Sequence, residues 1–218
     1  MRVGLQVSAR PHSSQLSFHN SPEDPRELRN VLNGVTSLNS VLLLAVCLAA
    51  WSSASVQTTR DDWRRADEAI DRLKPGDFPD LPAELRTALE QRGCTIPQPY
   101  DAGGQKKNVI SGPFTSAGQT DWAVLCSHEK RSAILVFRGG HSSQVDSLAE
   151  EPDLQYLQVV AGGQKIGYSR LLAVAPPKVV RQHFPRGNHA GIQDVFIGKA
   201  SVVWYRSRGK WTKVLQDE

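Results

Sequence analysis

The sequence predicts an α+β protein in which two helices precede an antiparallel sheet that ends in a hairpin. Two observations lead there. Apolar residues recur at helical spacing between Asp61 and Gly93, and after Lys107 the pattern changes to short apolar runs bounded by Gly, Pro or polar clusters. The 218 residues are about one domain's worth. A content of 39% hydrophobic and 22% charged residues excludes a collagen-like chain, a coiled coil and a wholly disordered chain.

Residues 1–30 contain Pro11, Pro22, Pro25 and several Ser, and read as a disordered extension. Residues 31–54 read as a signal peptide or membrane anchor. No charge occurs from Asn30 to Thr59, Arg26 and Arg29 stand before the run Val41 to Ala50, and small residues follow at Ser52, Ser53 and Ala54. The run is short for a span, which takes about 20 mainly apolar residues. Cleavage after Ala54 is therefore the reading, with a retained anchor as the alternative. Removing Cys47 with that segment leaves Cys94 and Cys126, an even count that predicts one disulfide in an exported chain.

Residues 55–106 read as a helical segment and connector. Trp63, Ala66, Ile70 and Leu73 share a helical face that Pro75-Gly76 ends, and Asp61 and Asp62 stand at its positive end. A second helix starts near Pro82, carries Leu85, Ala88 and Leu89, and stops at Gly93. Residues 107–218 read as a strand-rich domain. Strands are expected over Asn108–Ser111, Asp121–Ser127, Ala133–Arg138, Leu154–Val160, Tyr168–Ala175 and Ala200–Tyr205. Residues 176–194, with Pro176, Pro177, Pro185, Gly187 and Gly191, are expected to form a long surface loop. The end is expected to be a hairpin in which Gly209 takes the positive φ of a bulged turn.

The stretch from Gly112 to Val124 resembles the core of an FG-GAP or VCBS-type repeat, the blade motif of extracellular propellers. Gly112, Phe114, Gly118, Asp121, Ala123 and Val124 stand at its motif positions. The resemblance implies a strand, a tight loop and a returning strand. Family loops bind calcium through Asp and Asn, whereas this loop carries Pro113, Thr115, Ser116 and Ala117, so no calcium and no other cofactor is expected. The chain after Lys107 is too short for the four or so blades of a propeller.

The formal net charge of +4 comes without any run of five like charges, and specific nucleic-acid binding is not expected. Neither HExxH, GxSxG nor a phosphate-binding glycine loop occurs, and no metal site is expected. The segment richest in both aromatics and cations holds Trp204, Arg206, Arg208, Lys210 and Trp211, a combination that stacks on sugars and attracts anionic groups. These residues are the candidate binding site. The reading is an exported, non-catalytic binding module of the cell envelope, with an acidic glycan, a lipid headgroup or an envelope protein as partner. One alternative is an envelope hydrolase using His183 or His189 in the 176–194 loop; another is a membrane-anchored accessory subunit.

Overall fold

In the computed structural model, residues 59–216 are described; the expected extension over 1–30 and apolar segment over 31–54 lie outside them. Helix α1 (Arg60–Glu68) begins with a capping box, in which the Thr59 hydroxyl accepts from the Asp62 amide and the Asp62 carboxylate accepts from the Thr59 amide. Helix α2 (Ala83–Gln91) buries Leu85, Ala88 and Leu89 along one stripe and ends where Gly93 turns to φ +66°. Between these helices strand β1 (Arg72–Leu73) pairs antiparallel with β2 (Ile96–Pro97).

Two four-stranded antiparallel meanders make the body of the domain. The first runs β3 (Val109–Gly112), β4 (Asp121–His128), β5 (Arg131–Phe137) and β6 (Val145–Pro152), paired in chain order. The hairpin of β7 (Leu157–Val160) and β8 (Lys165–Tyr168) follows. The second meander runs β9 (Arg170–Ala175), β10 (Gly191–Phe196), β11 (Ala200–Ser207) and β12 (Lys210–Gln216), again paired in chain order. Helix α3 (Pro177–His183) fills the connection from β9 to β10.

The period of two along each strand divides the side chains between separate cores. Ala123, Leu125, Ile134, Val136 and Leu148 of the first meander meet Leu172 and Ile192 of the second in the central core. The opposite residues of the first meander, Val124, Cys126 and Phe137, lie against Leu81, Leu85, Leu89 and Ile96. Val203 and Tyr205, on the far face of the second meander, lie against Val180 and Phe184 of the α3 region. The layers are therefore helix, sheet, sheet, helix, and truncating a fully buried residue such as Leu85 to Ala costs about 2–5 kcal/mol. Cys94 and Cys126 form a disulfide with a Cα–Cα distance of 5.1 Å, tying the exit of α2 to β4.

Two polar side chains join the meanders. Asn108, 1% exposed and at φ +71°, donates through Nδ2 to the carbonyls of Pro97 and Arg170 and accepts through Oδ1 from the Leu172 amide. It links the end of β3 to β9, where no main-chain ladder does. Arg170, fully buried, makes a two-pronged pair with Asp194 at 2.9 Å on both prongs. Its remaining donors reach across to Ser132 and to the Ala149 carbonyl, and its guanidinium lies 4.3 Å from the Tyr156 ring centroid. Burial alone would lower the affinity of this guanidinium for its proton; the hydrogen bonds and charge of Asp194 outweigh that and hold it above its ordinary value.

This architecture corrects the expected α+β order of two helices followed by one antiparallel sheet. The described chain is mostly β, with twelve strands in four sheets and three helices, the first beginning at residue 60. The Asp71 carbonyl accepts from the Gln98 amide, so Arg72 and Leu73 pair as a strand where a final helical turn was expected. The expected 176–194 loop contains α3 and the start of β10, because Pro177 suits a first helical turn and Val180 buries against the second meander. The expected strand over 168–175 breaks at Ser169, whose amide donates to the Tyr156 carbonyl. The expected strand over 154–160 starts only at Leu157, since Asp153 turns inward to meet Arg72 and Ser127. Strand β6 was not expected at all. The final turn is the two-residue pair Arg208-Gly209, both at positive φ, with Ser207 opposite Lys210 and no bulge. Among the described residues no helix is long and apolar enough to cross a membrane.

Candidate functional site

The β11–β12 register puts Trp204 opposite Lys213 and Arg206 opposite Trp211, so these four side chains share one face of the second meander. The face is directed toward the first meander, and both indoles pack at the border of the central core, partly buried. The Lys213 Nζ lies 5.4 Å from the Trp204 ring centroid, a cation over an aromatic face. Arg208 occupies the exposed turn. Lys210 is exposed beside it but lies on the opposite face of β12 from Trp211 by the strand's two-residue period. The structure thus brings Trp204, Arg206 and Trp211 together and leaves Arg208 and Lys210 at the tip.

Two residues absent from the expected set complete the cluster. Asp146, on β6, accepts a hydrogen bond from the Trp211 Nε1 at 2.9 Å. The same oxygen, Oδ2, stands 3.6 Å from the Arg206 Nε and 3.7 Å from the Arg138 Nε, with Arg138 in the turn after β5. Both Nε atoms and the Trp204 Nε1 are buried without a hydrogen-bond partner. The cluster lies where β6 and β12 form the outer strands of their sheets. Two guanidinium groups there face a single carboxylate, with indole rings beside them. Asp146 escaped notice because its strand carries only scattered apolar residues, and Arg138 because it stands just before a glycine pair.

The other candidates are occupied structurally. His189, 5% exposed, stacks on Tyr205 at 4.3 Å between centroids, and its ring nitrogens face the carbonyls of Ala190 and Arg206 at 2.9 and 3.0 Å. His183 Nε2 faces the Gln216 amide nitrogen at 3.2 Å and borders a cleft of about 340 Å³ with Phe184, Arg186 and Tyr205. Neither imidazole has a carboxylate partner among the described residues. Nor do any three His, Cys, Asp or Glu side chains there form a group able to hold a metal ion.

In the Gly112–Val124 segment, Asp121 is fully buried and organises the loop. It accepts from the Thr115 amide at 2.7 Å, the Thr115 hydroxyl at 2.9 Å, the Gln119 amide group at 2.6 Å and the Gly139 amide at 2.8 Å. Hydrogen-bond donors surround this carboxylate, whereas a calcium ion needs further oxygens there. Gly118, at φ +79°, supplies the left-handed turn.

A cavity of about 480 Å³ lies between α1, the 98–106 loop and β8. Two of its polar side chains are engaged elsewhere: Gln98 bonds the backbone of Ile96 and Lys107, and Lys106 bonds the Asp77 carbonyl. Comparisons with protein-family models, curated proteins and solved structures give no match.

Proposed function

We propose that this protein is an exported, non-catalytic module that binds an acidic glycan along the β6–β12 border. The observation that carries the reading is the cluster of Arg138, Arg206 and Lys213 with Trp204 and Trp211, in which buried guanidinium and indole donors lack acceptors. Sugar rings have apolar faces that stack on indoles, and their sulfate or carboxylate groups pair with arginine forks. The indoles are held part-buried against the central core, which suits a ring-stacking platform better than a residue that dips into a bilayer. Arg208 and Lys210 at the tip add long-range attraction. The Gly112–Val124 hairpin, with its resemblance to an FG-GAP or VCBS-type repeat, is scaffold in this reading. Export is supported by the disulfide, which persists in oxidising compartments, and by the apolar run from Val41 to Ala50 behind a basic flank.

The test is titration of the purified protein with a sulfated and a carboxylated polysaccharide, read by indole fluorescence at low and at physiological salt. Binding that weakens with salt and is reduced by Arg206→Ala, and by Arg208→Ala with Lys210→Ala, supports the reading. Absence of binding at low salt overturns it, as does binding only to vesicles containing anionic lipid. Cell fractionation and the intact mass test export: a cytosolic product beginning at Met1 with reduced cysteines overturns that half.

A further inference from the structure

We infer that Asp146 is a built-in counter-anion that holds the place of the ligand's acidic group and competes with it. The inference rests on the glycan-binding reading above and gives its recognition step. The Asp146 carboxylate is the acceptor nearest to two guanidinium groups, yet at 3.6 and 3.7 Å it hydrogen-bonds neither Nε. Its single hydrogen bond comes from Trp211. A carboxylate retained for structure alone would be expected to satisfy these arginines at hydrogen-bond distance, as Asp194 satisfies Arg170 at 2.9 Å on two prongs.

Position agrees with a displaceable role. The Asp146 side chain is 25% exposed on an outer strand, so it can turn to water without crossing the core, whereas Asp194 is 8% exposed between the sheets. Arg206, 19% exposed, and Arg138, 32% exposed, approach it from different sheets. An oxyanion entering from the β6–β12 border meets both arginines and the Trp211 donor together. The chemistry recognised is an oxyanion carried on a glycan, either a sulfate ester or a uronate carboxylate.

The two roles for Asp146 predict opposite signs. A structural latch, when lost, loosens β12 and weakens binding. A competitor, when lost, strengthens it. Asp146→Asn keeps the shape and the acceptor for Trp211 while removing the charge, and binding of the sulfated polysaccharide is expected to tighten about three- to fivefold at low salt. Adding Arg138→Ala to that variant reverses the gain. Comparing sulfated with carboxylated polymer distinguishes the two sources of the oxyanion. In the unmodified protein, inorganic sulfate should shift the indole N–H resonance of Trp211 as Asp146 yields its place. Circular dichroism checks the fold of each variant, and Asp146→Ser gives the same readout should the asparagine variant not fold. Binding by the unmodified protein that is equal or weaker in both folded Asp146 variants overturns this inference and leaves the glycan reading standing. No binding by any form overturns both.

Discussion

Replacing Asp194 by Asn removes the one carboxylate that pairs with Arg170, a guanidinium with no exposed surface. The substitution preserves volume but puts an amide NH2 where one prong of Arg170 needs an acceptor, so the loss combines the missing charge with one broken hydrogen bond. Breaking a buried pair from one side costs about 3–5 kcal/mol, because the surviving charge has no counter-ion. With a urea slope of about 2 kcal/mol/M, the unfolding midpoint should fall by about 2 M. Arg170→Met with Asp194→Leu removes both charges. That variant relieves the desolvation of the pair, about 1–4 kcal/mol, and strands the Ser132 and Ala149 carbonyls, about 1–3 kcal/mol each. Its stability should therefore lie near that of the unmodified protein or slightly below, and above that of either single variant. Urea denaturation of the unmodified protein, Arg170→Met, Asp194→Leu and the double variant, disulfide intact, closes the cycle. A loss below about 1 kcal/mol for Asp194→Asn, or a double variant that loses the sum of the singles, would refute the reasoning.

Three further outcomes follow from the geometry. Reduction of the Cys94–Cys126 bond, at a sequence separation of 32, should lower stability by about 3–4 kcal/mol on the chain-entropy model, measured by urea unfolding with and without reductant. The Glu84 carboxyl accepts from the Ser142 hydroxyl and amide, which hold it below its ordinary value of 4.5, the hydroxyl contributing most. A depressed carboxyl stabilises the fold above its unfolded value and loses that effect as pH falls through the folded one; carboxyl chemical shifts should show a low midpoint that rises in Ser142→Ala. Asp121→Ala should free the Thr115 and Gly139 amides to exchange and lower stability by about 2–4 kcal/mol, read by hydrogen exchange and denaturation.

The parts of the fold legible in the sequence are those specified by neighbours in the chain. Asp121 to Ser127 alternates residues that face two cores, and Arg208-Gly209 between Tyr205 and Trp211 marks a turn, so β4 and the final hairpin are readable from local pattern. Where long-range partners decide, local pattern fails. Residues 72–73 leave their helical register for strand partners 25 and 23 residues away. Arg170 falls inside the expected 168–175 strand with nothing local to mark it, and its role depends on Asp194, Ser132 and Ala149, none adjacent in sequence. The candidate site divides in the same way: Trp204, Arg206 and Trp211 stand out as a local cluster, while Asp146 and Arg138 join it only through the facing of two sheets. The Cys94–Cys126 bond was legible from parity only with Cys47 assigned to the apolar leader.

The two long sides of the sheet pair are fastened differently, and this gives the domain a mechanical direction. On the β3–β9 side the buried Asn108 amide fixes three backbone groups at once, in the manner of a book's spine. On the β6–β12 side the buried Arg170 reaches the Ala149 carbonyl, but the margin itself is joined through partly exposed Asp146, a fore-edge held by a clasp. Local opening of the sheets is then expected to begin at the clasp, with earlier amide exchange in β12 than in β9. A guest bridging Arg138 and Arg206 from the two covers holds the pages shut along their free margin. Such a guest raises resistance to unfolding by the amount its affinity and concentration set, since only the closed form binds it.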